Sequence, residues 1–153
     1  MAALLLMLAG LSATPAAAVG TTVPVCLLPA RVPEAPAALF ADPARFDCTR
    51  RQTDFGGGDF WALSRPLPRL GSGDHLVRQA SLWQDRETLY VLYADGTIRR
   101  TGFSSATAGR HLMLGAVVQL ALPRHHAAPT RLLWHIEGSL NRRGVLVGAT
   151  IVD

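Results

Sequence analysis

The sequence predicts an all-β fold, a two-layer β-sandwich, and three observations predict it. Short runs rich in Val, Leu, Ile, Tyr and Trp recur at about 75–83, 87–93, 97–103, 111–114, 116–122, 131–137 and 145–151, with turn residues between them. No stretch carries a convincing amphipathic helical period, so helices are not the building unit. Ala94-Asp95-Gly96 sits between two β-forming runs, and Asp-Gly in that position is a strong hairpin signal because both residues tolerate the positive φ of tight turns.

The elements follow in chain order. The first eighteen residues carry no charged side chain, Ala2 to Leu11 is a run of Ala, Leu and Met broken by Gly10, and Ala16-Ala17-Ala18 places small residues before a cut. This reads as a secretory signal over 1–18 cleaved between Ala18 and Val19, although the usual Lys or Arg near the start is missing. An anchor is the weaker reading, because the run is shorter than the ~20 residues that span a bilayer and Pro15 interrupts it.

Export changes what the two cysteines mean. In an oxidising compartment an even count favours a Cys26–Cys48 disulfide, and closing a loop of that size contributes ~3 kcal/mol in the chain-entropy account. Neither the CxxC spacing of an oxidoreductase nor four clustered zinc ligands is present. The disulfide tethers a lead-in over 19–62 in which Pro24, Pro29, Pro33, Pro36 and Pro43 forbid a long helix, leaving room for a short one that starts at Pro36 and ends before Pro43. The sandwich is expected over 63–153, with a start as early as residue 47 as the variant.

Gly56-Gly57-Gly58 lacks the Gly-Lys-Ser/Thr of a phosphate loop and the Asp-Phe-Gly before it lacks every other kinase element, so it reads as a turn that brings Phe55, Phe60 and Trp61 onto the sheet. Later, 123–129 reads as a Pro-bounded loop and Asn141-Arg142-Arg143-Gly144 as a hairpin turn. Leu132, Trp134 and Ile136 should face the core, with Leu133, His135 and Glu137 on the opposite face. The last strand alternates weakly, as one covered on both sides would.

The net charge is +4, carried by fifteen Arg and no Lys against eleven acids, and the arginines are scattered without forming a stripe. Nucleic acid is therefore not an expected partner. The chemistry that can be located is sparse. Of five histidines, His135 pairs with Glu137 on one strand face, and an exposed pair is the plainer reading than a catalytic base or a metal ligand lacking its third group. His125-His126 is expected at the surface, with only a fortuitous metal contact. Trp83, Tyr90, Tyr93 and Trp134 can stack on sugar rings or fill the core, and the core is the better account of large aromatics. Trp83, His135 and Glu137 are the ligand-contact candidates; no catalytic residue, metal or cofactor is assigned.

Gln79-Ala80-Ser81-Leu82-Trp83, Leu89-Tyr90-Val91-Leu92-Tyr93-Ala94-Asp95-Gly96, Val117-Val118-Gln119-Leu120-Ala121-Leu122-Pro123 and Arg131-Leu132-Leu133-Trp134-His135-Ile136-Glu137-Gly138 follow one another in an order that resembles a known family. It is the extracytoplasmic sensory domain of bacterial seven-transmembrane receptors with diverse intracellular signalling modules, especially those joined to diguanylate cyclase outputs. The resemblance runs from about Cys48 to Ile151. It implies a jelly-roll sandwich similar to carbohydrate-binding modules, a periplasmic location, a small solute or carbohydrate as ligand, and a membrane-embedded remainder with a cyclase or kinase output. Catalytic residues of that family belong to the output domain, so none is carried over. The competing expectations are a secreted glycan-binding or glycan-active module and a structural interaction domain, with a second copy of the chain as a candidate partner.

Overall fold

The structure, a computed structural model, describes residues 20–70, 73–81, 83–140 and 149–152. The signal and its cut at Ala18 and Val19, the turn 141–144 and residues 145–148 of the last expected strand lie outside them. Among the described residues the strands are β1 (Thr21–Thr22), β2 (Val25–Pro29), β3 (Gly58–Ser64), β4 (Leu76–Ala80), β5 (Arg86–Tyr93), β6 (Ile98–Ser104), β7 (Leu112–Met113), β8 (Val117–Ala121), β9 (Pro129–Ser139) and β10 (Thr150–Val152), with one short α-helix, α1 (Pro36–Ala41), and three 3-10 turns at Pro43–Arg45, Gln52–Phe55 and Ser105–Arg110. They form two antiparallel five-stranded sheets, β1-β10-β4-β8-β7 and β2-β3-β9-β5-β6.

With the edge strands β2 and β7 set aside, eight strands remain in the orders β1-β10-β4-β8 and β3-β9-β5-β6. From β3 to β6 the chain runs to the facing sheet, back and on as paired strands; β8 then returns beside β4, β9 enters between β3 and β5, and β10 enters between β1 and β4, which is the double Greek-key winding of a jelly roll. The expected sandwich is therefore present.

Leu27, Phe60, Val77, Leu89, Val91, Val118, Leu120, Leu132, Trp134, Ile136 and Ile151 pack between the sheets and are buried. A second cluster lies on the outer face of the β2-containing sheet, where α1 and the following segment bring Leu39, Phe40 and Phe46 onto Cys26, Trp61, Leu63 and Leu133. Pro36 in the first turn of α1 has the fixed φ that starts a helix, and Pro43 stands just beyond its end. The Cys26–Cys48 disulfide closes this cap, and the Leu27–Asp47 bridge adds backbone bonds of 2.9 and 2.8 Å beside it.

Three expectations need correction. The segment 19–62 is not an irregular lead-in, because β1, β2 and most of β3 belong to the two sheets and β3 lies between β2 and β9. Phe60 and Trp61 are consecutive residues of β3 facing opposite hydrophobic clusters, so it is only Phe55, edge-on to Phe60 with ring centroids 6.3 Å apart, that the glycine turn folds back. Leu133, expected on an open face, is completely buried under the cap.

The expected hairpin joins β5 to β6. Tyr93 and Thr97 close it through a 2.9 Å N–H···O bond, and Gly96, at φ 82°, donates to the Tyr93 carbonyl at 2.9 Å. This is a three-residue loop whose single left-handed position is Gly96, and Asp95 contributes by accepting the Thr97 N–H at 3.0 Å. Among the described residues no helix is long and apolar enough to cross a membrane.

Candidate functional site

A cleft of about 560 Å³ opens at the end of the sandwich where β5 finishes and β9 begins, lined by Tyr93, Asp74, His75, Arg124, His125 and His126 among others. Strand register places it there. Tyr93 pairs with Pro129 across β5 and β9, and the Ala94 N–H donates to the Ala128 carbonyl at 2.9 Å. The loop 123–128 is thereby drawn alongside the 94–96 turn, bringing together residues thirty positions apart in sequence.

Three groups able to ligate a metal, Asp95, His125 and His126, converge at this junction. His125 Nε2 lies 2.8 Å from Asp95 Oδ2, and His126 Nε2 lies 3.4 Å from the same oxygen. The other carboxylate oxygen, Oδ1, is occupied by the Thr97 amide, so the turn itself fixes which oxygen faces the histidines. The hydrogen bond to His125, followed by the backbone bond from Thr97, holds the Asp95 carboxyl down at about 2, which keeps it anionic through the ordinary pH range.

The two rings differ sharply in freedom. His125 is nearly enclosed, with 6% of its side chain exposed, and packs edge-on against Tyr93 with centroids 4.6 Å apart. His126 is 80% exposed. Tyr93 in turn donates its hydroxyl proton to the Pro123 carbonyl, and burial raises its pKa. The floor of the junction is closely packed, while one imidazole and the mouth remain open. Arg124 and Asp74 form a bidentate pair at the rim, both largely exposed, so the charge they offer is screened by water.

The candidates singled out in the sequence lie elsewhere. His135 is not exposed as expected: it stacks on Trp61 with rings 3.9 Å apart and 11° from parallel, on the capped outer face of β9. Burial lowers its pKa, opposed by Glu137 and Asp59, so the surroundings favour the neutral ring. Glu137 stands 3.8 Å from His135 Nδ1 and 3.6 Å from Arg86 Nε, both beyond direct hydrogen-bond reach, and only the contact with Arg86 is an ion pair. Trp83 is outside the strand expected to hold it, since β4 ends at Ala80; it takes a left-handed φ of 54° and is 64% exposed. Of the other aromatics, Tyr93 and Trp134 are buried between the sheets and Tyr90 packs against Trp61.

The Asp95, His125 and His126 grouping was missed because its members read separately as turn chemistry and as a polar loop. The available signal was the adjacent histidine pair held between Pro123 and Pro129, facing an acid at a hairpin tip. Only the β5–β9 register connects them.

A second polar cluster is buried between the sheets near the start of β5. Glu87 is fully enclosed, with Gln79 Nε2 donating to Oε1 at 2.7 Å and Gln84 Nε2 donating to Oε2 at 2.5 Å. Desolvation pushes the Glu87 pKa up to about 7 against the opposing pull of the two amides.

The chain matches no family model, and a search of curated proteins returns no significant match. The disulfide is of the kind that forms in an oxidising, extracytoplasmic compartment.

Proposed function

We propose that this chain is a periplasmic ligand-binding domain, the input module of a membrane-bound receptor with a diguanylate cyclase or histidine kinase output, and that its ligand enters the cleft between the β5–β6 turn and the 123–129 loop. The observation that carries the reading is the cleft itself. A concavity of about 560 Å³ falls in the range of small-molecule sites, and it joins a packed aromatic floor at Tyr93 to polar groups at Asp74, Arg124, His125 and His126. A small polar solute fits that mixture. The order of sequence patterns resembling receptor sensory domains supplies the signalling role.

A second reading has its own observation. Trp83 presents an exposed indole in a left-handed backbone conformation that costs a non-glycine residue energy, and an exposed ring held in this way is the kind of platform on which sugars stack. It would make the chain a carbohydrate-binding module with recognition at the β4–β5 connection.

Thermal-shift screening of periplasmic solutes and oligosaccharides against the parent, His126→Ala and Trp83→Ala separates the two. A saturable rise in Tm that His126→Ala abolishes and Trp83→Ala leaves intact is expected. The opposite pattern moves recognition to Trp83 and overturns the cleft assignment. In the coding sequence beyond Asp153, seven apolar spans followed by a cyclase or kinase module are the expected accompaniment.

A further inference from the structure

We propose that Asp95, His125 and His126 bind a divalent transition-metal ion of the zinc class at the mouth of the cleft, leaving a coordination position open toward the cleft interior. The inference rests on reading this cleft as the ligand site and names the ion that would stand in it.

The donor set selects the ion. Two imidazole nitrogens and one carboxylate oxygen suit zinc and its neighbours, whereas calcium and magnesium take oxygen ligands throughout. The spacing agrees with a shared centre. In tetrahedral coordination with arms of roughly 2.0–2.1 Å, neighbouring donors stand roughly 3.3 Å apart. His126 Nε2 to Asp95 Oδ2 is 3.4 Å and His125 Nε2 to the same oxygen is 2.8 Å, and all three donor atoms lie within 4.8 Å of one another. Binding requires the His125–Asp95 contact to open by roughly half an ångström while the exposed His126 ring turns inward.

The surroundings resemble the supporting groups of metal sites. Asp95 Oδ1 is engaged by the Thr97 amide, which orients Oδ2 outward, and His125 is fixed by Tyr93. Three protein ligands with one open position is the arrangement that lets a metal bind an exchangeable water or solute. Both cysteines are committed to the disulfide, so thiolates do not compete for the ion.

The test uses the untagged, oxidised chain over residues 19–153. Calorimetric titration with zinc(II) and visible spectroscopy with cobalt(II) should give one equivalent bound, a four-coordinate cobalt spectrum and a rise in Tm. His126→Ala, whose side chain is largely solvated, should weaken zinc at least tenfold with the Tm of the metal-free chain unchanged. Asp95→Asn should weaken it similarly, while His135→Ala should leave it unaltered. Absence of saturable binding, or affinity indifferent to both His126→Ala and Asp95→Asn, overturns the proposal and reduces the trio to a hydrogen-bonded turn clamp. The solute screen, run with and without zinc, keeps the two ideas apart. Zinc bound without any solute sustains the ion and sinks the cleft as a solute site, whereas solute binding without zinc does the reverse.

Discussion

Glu87 shows how one residue can make stability depend on pH. Its carboxyl is buried between the sheets and its pKa is pushed up to about 7, so between the ordinary glutamate range and neutrality the folded chain keeps a proton that the unfolded chain has released. The native state binds more protons over that window, and stability therefore falls as pH rises through it. The full excursion is on the order of 3 kcal/mol, at 1.36 kcal/mol for each pKa unit. Glu87→Gln removes the charge while keeping an amide that can bond to Gln79 and Gln84. Urea unfolding of parent and variant should give a gap that favours the variant at pH 8 and closes toward pH 5; an equal gap at both would show that the carboxylate charge is not its source. His135 works in the opposite sense, because its lowered pKa means that the unfolded chain takes up a proton first as pH falls below the ordinary histidine value.

Among the elements, the hairpin was legible because its turn chemistry is local: Asp95 caps the Thr97 amide and Gly96 takes the left-handed position. Strand β3 was not. Phe60, Trp61, Ala62, Leu63 and Ser64 are all buried, since the facing sheet covers one side and the α1 cap the other, and a strand buried on both faces loses the alternation by which strands are read. The same cap hid the burial of Leu133 and the stacking of His135 on Trp61. The disulfide was legible from cysteine count and export, and the structure adds what it holds: an edge strand joined to the segment behind α1. Replacing Cys26 and Cys48 together by Ala should cost about 3 kcal/mol and lower Tm by roughly 10 °C in differential scanning calorimetry, with the β-rich far-UV spectrum retained. A change under 2 °C would mean that packing of Leu39, Phe40 and Phe46 alone secures the cap.

For the whole molecule, jelly-roll winding makes the early strands as necessary as the late ones. A chain shortened to begin at residue 63 keeps all seven strands expected from sequence yet lacks β1, β2 and most of β3, leaving the edge of β9 and the core face of Trp134 uncovered. It should fail to give dispersed amide resonances in a proton–nitrogen correlation spectrum, whereas a well-dispersed spectrum would show that 63–153 is self-sufficient. The cluster of Asp95, His125 and His126 belongs to this scale too, since no local pattern joins a hairpin tip to a loop thirty residues later; only the finished winding does. That winding also distributes the three tryptophans over three environments: Trp134 in the sealed interior, Trp61 beneath the cap against an imidazole, and Trp83 in solvent. The protein thus carries its own set of fluorophores, with the emission of one tracking interior melting, that of another sensitive to the loss of the imidazole stacked against it, and that of the third responding to whatever touches the β4–β5 connection.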